Sequence, residues 1–525
     1  MTSVRARIVT AATIIMLGNV LSRMLGVVRE QVIAGLFGPT ATTSAFVAAS
    51  TIPSMVYDLL IGGAISAALI PVFTDYAKEK DDAELGRVAG AVLGWALVVL
   101  VVVVVLLELF SPWIVPILAG GLVLEAQAEA LTLARVVLPC VVFLGLAGIT
   151  TAVLYARQTF TYPAFAAAAY NGGMIVFALL FASTLGSTAL VLGVLLGAML
   201  QLILQLPGLR GVPLSLSVSL RHPALSRILK LYAPVAIGLV VAQVGVAIDR
   251  NLASRTGEDS LAVMRFATTL VQFPLGLTVT ATSFAVLPTL SGFAGAGRPG
   301  SSESAESLES FKSTLVIGLK LVLLAIIPAA VGLAILREPI IRLLFQHGVF
   351  GAYGTERTSL AFLYYAPQLP FVAVDQLLIF AFYARKNTMT PMLVGLAGVM
   401  VYVVAGLALM GPMGMAGLAL ANTIQNSLHG VVLFVLIQRA MGSIGGYGLG
   451  STVAKSATAA GVMAAAYFAV DPILRGGLAL SSTGSLAAYV AAAIAISALV
   501  YLVSLHVLRV EETVLWWRAV RARFG

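Results

Sequence analysis

The chain has 525 residues, of which 60% are hydrophobic and 10% charged, whereas a soluble globular domain carries about 25% charged residues. Its apolar runs repeatedly exceed the ~20 residues that cross a bilayer core, which excludes a soluble fold and turns the length into many membrane spans. The net charge of +9 is scattered through short loops, which excludes a nucleic-acid partner; the single cysteine, Cys140, excludes a disulfide framework or a thiolate metal centre, and the four histidines (His222, His347, His429, His506) have no ligand spacing.

Fourteen apolar segments succeed one another, at 8–36, 41–73, 88–107, 129–155, 163–184, 187–206, 229–252, 260–291, 314–336, 358–384, 390–410, 413–438, 451–470 and 484–507. At about 1.5 Å per residue, each is long enough for a helix to cross ~30 Å of hydrocarbon. The runs are continuous rather than alternating, unlike the strands of a membrane barrel. The expectation is an all-α polytopic membrane protein with 14 transmembrane helices. The first segment follows Arg5 and Arg7 without a short apolar core and a small-residue cleavage site, so it reads as a span and not as a signal peptide.

Span 1 contains Arg23, Arg29 and Glu30. Charge at bilayer depth is costly and faces a partner or a cavity. Arg23 and Glu30, seven residues apart, share a helical face, and Arg29 points ~120° away. Two readings follow. One is an Arg23–Glu30 pair satisfied inside the bundle. The other is an aqueous cavity whose guanidiniums bind an anionic headgroup, a task that suits arginine through its permanent charge and planar fork. Gly18, Gly26 and Gly35 permit kinks or close helix approach.

Span 2 places Tyr57 and Asp58 beside Gly62-Gly63, where Asp58 is a candidate to neutralise a span 1 arginine, either structurally or as a tuner of the cavity charge. Asn171-Gly172-Gly173 lie within span 5 and read as helix packing. The stretch 207–228 is a polar, basic linker. Span 7 ends in Asp249-Arg250, and span 8 begins near Arg265. Asp249 is an ion-site candidate, with an interface pair to Arg250 as the simpler reading. Residues 292–312 are rich in Gly, Ser and Glu and read as a flexible cytoplasmic loop. Residues 337–350 are too short to span; Ile340, Ile341, Leu344 and Phe345 against Arg337, Arg342 and His347 suit a short helix in the outer interface. Asp375 with Gln376 in span 10 carries the same alternatives as Asp249. The C-terminus, with Trp516-Trp517 and Arg509, Arg518, Arg521 and Arg523, reads as a cytoplasmic interfacial anchor.

Tyr155-Ala156-Arg157 and Pro163 recur as Tyr383-Ala384-Arg385 and Pro391, all at an offset of 228 residues; spans 2 and 8 also share a pair of prolines, Pro53 and Pro71, Pro274 and Pro288. The repeat divides the chain into an N-terminal lobe of spans 1–6 (1–210), a C-terminal lobe of spans 7–12 (211–440) and an appendage of spans 13–14 with the tail (441–525). Parallel lobes of this kind rock about a central cavity, giving alternating access. Loops on the N-terminal side carry 19 arginines and lysines against 5 on the other side, which places both termini in the cytoplasm. No Gly-rich loop with Lys-Ser/Thr cradles a phosphate, so no intrinsic ATPase is expected, and no serine, histidine and acid group together. The chain reads as a transporter, not an enzyme.

Five motifs occur in order: SRMLGVVRE (Ser22–Glu30), IPS…GGAISAALIPVF (52–73), QFPLG (272–276), LFQHGVF (344–350) and AFYARKNTMTP (381–391). Together, along nearly the whole chain, they resemble the MurJ (MviN) family of lipid II flippases, within the multidrug and oligosaccharidyl-lipid exporters (the MOP superfamily). The resemblance implies a bacterial inner-membrane protein that moves an undecaprenyl-diphosphate-linked sugar–peptide to the outer leaflet for peptidoglycan synthesis. It implies a cationic cavity and a groove for the lipid tail at spans 13–14. The family's span 1 arginines fall on Arg23 and Arg29. Its basic pair in span 2 is Tyr57-Asp58 here, and its span 8 arginine falls at Thr268-Thr269, so Arg250 and Arg265 are the candidates to complete a substrate site with Glu30 and Asp58 as charge tuners. No cofactor or metal is expected; a coupling cation (Na+ or H+) or the membrane potential would reset the inward state. Membrane lipids and cell-wall synthesis proteins are the further expected partners. The alternatives are a flippase for another lipid-linked oligosaccharide, a MATE-like drug or cation exporter, or a membrane scaffold.

Overall fold

A computed structural model describes residues 2–78, 82–214, 223–294, 302–477, 482–510 and 512. Among the described residues the fold is 90% helix with no strand. Hydrocarbon offers no hydrogen bonds, so a spanning chain must satisfy its backbone within each segment, as helices do. In chain order the helices are α1 (Thr2–Phe37), α2 (Ala41–Tyr57), α3 (Ile70–Lys78), α4 (Asp82–Ala119), α5 (Leu124–Val137), α6 (Cys140–Ala156), α7 (Thr161–Leu185), α8 (Thr188–Ile203), α9 (Pro223–Ser254), α10 (Ser260–Ala294), α11 (Ser302–Ile335), α12 (Arg337–Phe345), α13 (Gly351–Tyr365), α14 (Leu369–Ala384), α15 (Met389–Met413), α16 (Met415–Met441), α17 (Leu449–Gly477) and α18 (Thr483–Val507). Two π turns, Asp58–Gly62 and Ile65–Leu69, join α2 to α3 as one continuous run.

Among the described residues, eleven such runs are long and apolar enough to cross a membrane, and a twelfth forms if α5 and α6, which meet at 44°, count as one. Helices α1 and α10, of 36 and 35 residues, cover the two other apolar segments. Of the expected tail anchor, Trp516-Trp517 and its last three arginines lie outside the described residues, as do Lys80, Arg221 and Arg298.

The chain forms two compact units, Met1–Ala262 with His347–Gly351, and Val263–Gln346 with Ala352–Gly525. In the first, the core lies between the α2–α3 run, α4 and α6, with Val72, Phe73, Leu85, Val88, Ala152 and Val153 fully buried. Helix α9 packs in this unit too. Gly63, between the π turns, admits it: a Cβ there would stand 2.3 Å from Leu239 Cδ1. In the second unit, the α17–α18 hairpin packs on α11. Tyr501 donates to the Leu324 carbonyl at 2.8 Å and lies 2.8 Å from Ser456 Oγ. Met463, Ala459 and Leu505 are buried in the same cluster.

Backbone conformations recur at the same 228-residue offset. Helices α6 and α14 end alike: Gln158 and Lys386 take the left-handed conformation at φ 58° and 59°, and the following amides reach back to Leu154 and Phe382 carbonyls at 2.8 and 3.0 Å. Helices α7 and α15 both run 25 residues. They stop at Gly186 and Gly414, with φ/ψ of 55°/−139° and 58°/−136°, a region open to glycine. Pro139 and Pro367, each at a helix break, keep the same offset.

The 337–350 stretch forms the short helix α12, and its apolar face enters the protein: Ile341 and Phe345 are fully buried, Phe345 against the Phe266 ring at 5.5 Å. The loop beyond it joins the first unit, where the Val349 amide donates to the Gly35 carbonyl at 3.0 Å. Gly348 (φ 54°) makes this approach; a Cβ there would stand 2.2 Å from the Gly35 oxygen.

Helices α1 and α7 touch just as closely. A Cβ on Gly18 would stand 2.2 Å from the Ala164 carbonyl oxygen, well inside contact distance. Gly18→Val is expected to push α1 off α7 and to destabilise the protein by about 1–3 kcal/mol, read as a lower thermal midpoint in detergent; an unchanged midpoint counts against this packing.

Candidate functional site

The charges of span 1 meet the α1–α7 seam. Below Gly18, α1 stays close enough to α7 for Asn171 to serve both its backbone and its side chains. Asn171 Nδ2 donates to the Ser22 carbonyl at 3.1 Å, and Asn171 Oδ1 accepts from Arg29 Nη1 at 2.9 Å. Arg29 Nη2 and Nε donate to Glu30 Oε1 at 2.7 and 3.1 Å. Glu30 is 1% exposed and Arg29 23%. A carboxylate so buried must be paired, because removing a charge from water costs several kcal/mol.

The pairing differs from the one that spacing suggested. Glu30 binds Arg29, its chain neighbour, and not Arg23, which shares its helical face. The arginine side chain is long enough to fold along the helix and reach a carboxylate ~100° away. Arg23 is half-buried and makes no hydrogen bond or ion pair among the described residues. Arg29 spends three of its five N–H groups on Glu30 and Asn171, which leaves two. The seam therefore holds one uncommitted guanidinium and one part-committed guanidinium, six residues or ~9 Å apart along the helix.

The other candidates are placed as follows. Asp58 opens the first π turn, is exposed, and makes no ion pair with a span 1 arginine. Asp249 and Arg250 near the end of α9 pair at 3.6 Å, each about a quarter exposed, and Arg250 Nε is buried with no hydrogen-bond partner among the described residues. The same end of α9 is bolted to α4: Asn251 donates to the Ile117 carbonyl at 2.8 Å, and Ser254 Oγ accepts from the Gly121 amide at 3.0 Å. Arg265 lies in the second unit. Its carbonyl accepts the hydroxyls of Thr268 and Thr269, both at 3.0 Å. These threonines bond back to their own helix, as such hydroxyls do, and bring no cation. Asp375, also in the second unit, pairs with His429 at 2.7 Å, and Gln376 is exposed. Among the described residues no three His, Cys, Asp or Glu side chains gather as metal ligands.

Sequence reasoning missed Asn171, read as packing beside Gly172-Gly173, and His429, read as isolated. An amide within an apolar span was the available signal for the first.

The family model for "Lipid II flippase MurJ" matches residues 33–500. The lipid II flippase MurJ of Burkholderia cenocepacia is 30% identical over 434 residues, 80% of this chain and 82% of that protein. The probable lipid II flippase MurJ of Haemophilus influenzae is 28% identical over 79% of this chain and 83% of its own. Among solved structures, a lipid II flippase MurJ in an inward closed conformation superposes with a TM-score of 0.78 at 22% identity, covering 96% of this chain and 99% of that one. An inward-facing multidrug resistance MATE transporter of the MOP superfamily follows the same fold at a TM-score of 0.67 and 14% identity, covering 81% and 95%. The motifs of span 2 and the 344–350 loop thus fall within one long match, and this chain belongs to the MurJ family of lipid II flippases.

Proposed function

We infer that this protein flips lipid II from the inner to the outer leaflet of the bacterial cell membrane for peptidoglycan synthesis, by alternating access. Family membership supplies the substrate, and one observation supplies the chemistry: α1 holds two guanidiniums at bilayer depth whose donors are not used up. Arg23 offers its whole fork to the diphosphate, and Arg29 adds two N–H groups. Glu30 and Asn171 fix Arg29 so that little ordering is left for the substrate to impose. Only the polar headgroup needs a path; the polyprenyl tail stays in lipid throughout. The related fold has been captured inward-facing and outward-facing in MATE transporters, the two states that such a cycle requires.

Several finer features complete the reading. Helices α1 and α10 bring the spans to fourteen, and the repeat sets lobes at 1–210 and 211–440 with spans 13–14 appended. Both termini are cytoplasmic. Arg250 and Arg265 complete the anion site, with Asp58 tuning its charge. A cation gradient, with Asp249 as an ion-site candidate, or the membrane potential resets the carrier, without an ATPase of its own. Cell-wall synthesis proteins are its partners in the membrane. Topology is checked by reporter fusions: a phosphatase joined after Thr256 is expected to be active outside the cell, and one joined after Gly445 inactive; the reverse pattern overturns the orientation.

The function is tested by depletion. Lipid II is expected to accumulate on the inner leaflet when the protein is withdrawn. Accumulation of a different polyprenyl-diphosphate glycan, with lipid II unchanged, overturns this assignment.

A further inference from the structure

One ionic contact in the second unit lies on helices other than α1. Helix α16 carries Asn422, Asn426 and His429 at spacings of four and three, on one face. Gln368 and Asp375, seven apart, oppose them. The two stripes meet. Asn426 donates to Gln368 and to Asn422, the latter at 3.0 Å, and His429 Nδ1 lies 2.7 Å from Asp375 Oδ1, with side chains 14% and 17% exposed. Helix α15 faces the same ring at Gly395 and Gly398: a Cβ on them would stand in ordinary contact, 3.7 Å from His429 Nε2 and Cδ2. Gly430 lets α16 approach α14, with its Cβ position 3.0 Å from the Phe371 carbonyl oxygen.

The imidazole meets a carboxylate from a second helix. Without the second ring proton, the Asp375 carboxylate stands at bilayer depth without a counter-charge, which is costly. Among the described residues, Tyr402 is the sole titratable side chain of α15, and Tyr383 the sole other one of α14. On α16 the remaining charge is Arg439, ten residues from His429. On α11, Lys312 is held by Glu309 at 3.0 Å and Lys320 by Glu512 at 2.6 Å, and Glu306 is an acid.

We propose that Asp375 and His429 form a proton-binding site that clamps α14 to α16, and that loss of the proton loosens these two helices from one another. The site lies in the second unit and is independent of the arginine reading of α1. Its ligand is the proton itself, bound through imidazolium and carboxylate.

The test uses the full chain in lipid nanodiscs and does not read transport. Nitrogen NMR of 15N-histidine protein, with His429 assigned by the resonance missing in His429→Gln, is recorded across about pH 5 to 9, where histidine titrates. Amide hydrogen exchange of residues 422–430 is followed over the same range. His429 is expected to give the imidazolium signature at neutral pH, to become neutral in Asp375→Asn, and to lose its proton with the same midpoint at which exchange in 422–430 accelerates at least several-fold. A neutral His429 in the wild-type protein, an imidazolium that survives Asp375→Asn, or exchange in α16 that ignores the titration overturns the proposal. If Asp375→Asn fails to fold, the coincidence of the two wild-type midpoints decides.

Discussion

Arg23→Ala is expected to leave the protein folded and inserted while removing most of its flipping activity. Arg23 has no partner among the described residues, so truncation strands no other charge, and the stability change should stay under about 1 kcal/mol. The loss falls on the substrate. A charge-assisted bond to an anion contributes about 1.5–3 kcal/mol, and each 1.4 kcal/mol is tenfold, so lipid II transport in proteoliposomes should drop by about one to two orders of magnitude. Arg23→Lys should sit between, since it keeps the charge and loses the fork. The thermal midpoint and the transport rate are measured on the same preparation. Full activity in a correctly inserted Arg23→Ala protein would remove Arg23 from the mechanism.

Arg29→Ala is expected to do harm twice. It removes an anion contact, and it takes from Glu30, 1% exposed, the guanidinium that pairs with it. Breaking one side of a buried pair costs about 3–5 kcal/mol, enough to exhaust much of a membrane protein's margin. The double variant Arg29→Ala/Glu30→Gln separates the roles, because the neutral amide no longer needs a cation. Its stability should recover most of the loss, and its transport should stay low. A coupling energy near zero in this cycle would mean that the observed 2.7 Å contact carries no net stabilisation; recovery of transport along with stability would make Arg29 a structural residue alone.

The contrast between these two arginines was only half legible in the sequence. Charge in an apolar run announces that something is paired or poised for a ligand, but spacing speaks of helix faces and not of reach. By face alone Glu30 belongs to Arg23; by reach it belongs to Arg29, whose other end is steadied by Asn171 from a helix 142 residues away. No single-chain pattern gives that helix pairing. The same holds for His429, which looks isolated because Asp375 is 54 residues distant. The helices themselves were legible because hydrocarbon leaves few alternatives to a continuous apolar run. The repeat was legible at Tyr-Ala-Arg and proline. Its wider extent, through Pro139 and Pro367, Gly186 and Gly414, rests on single residues whose meaning is a backbone angle.

The two π turns of span 2 bear on how that span can be compared with any other. A π turn, closed by an amide to the fifth carbonyl back as at Gly63 to Asp58 and Ile70 to Ile65, holds about one residue more than an α turn and sets the following helix back by ~100°. Two of them give ~200°. Drawn as an uninterrupted wheel, Ile52 and Val72 fall ~200° apart; with both π turns counted, they return to the same side, and both are in fact buried. The span carries two supernumerary residues, so an ungapped alignment to a span without π turns puts one half in phase and the other on its back.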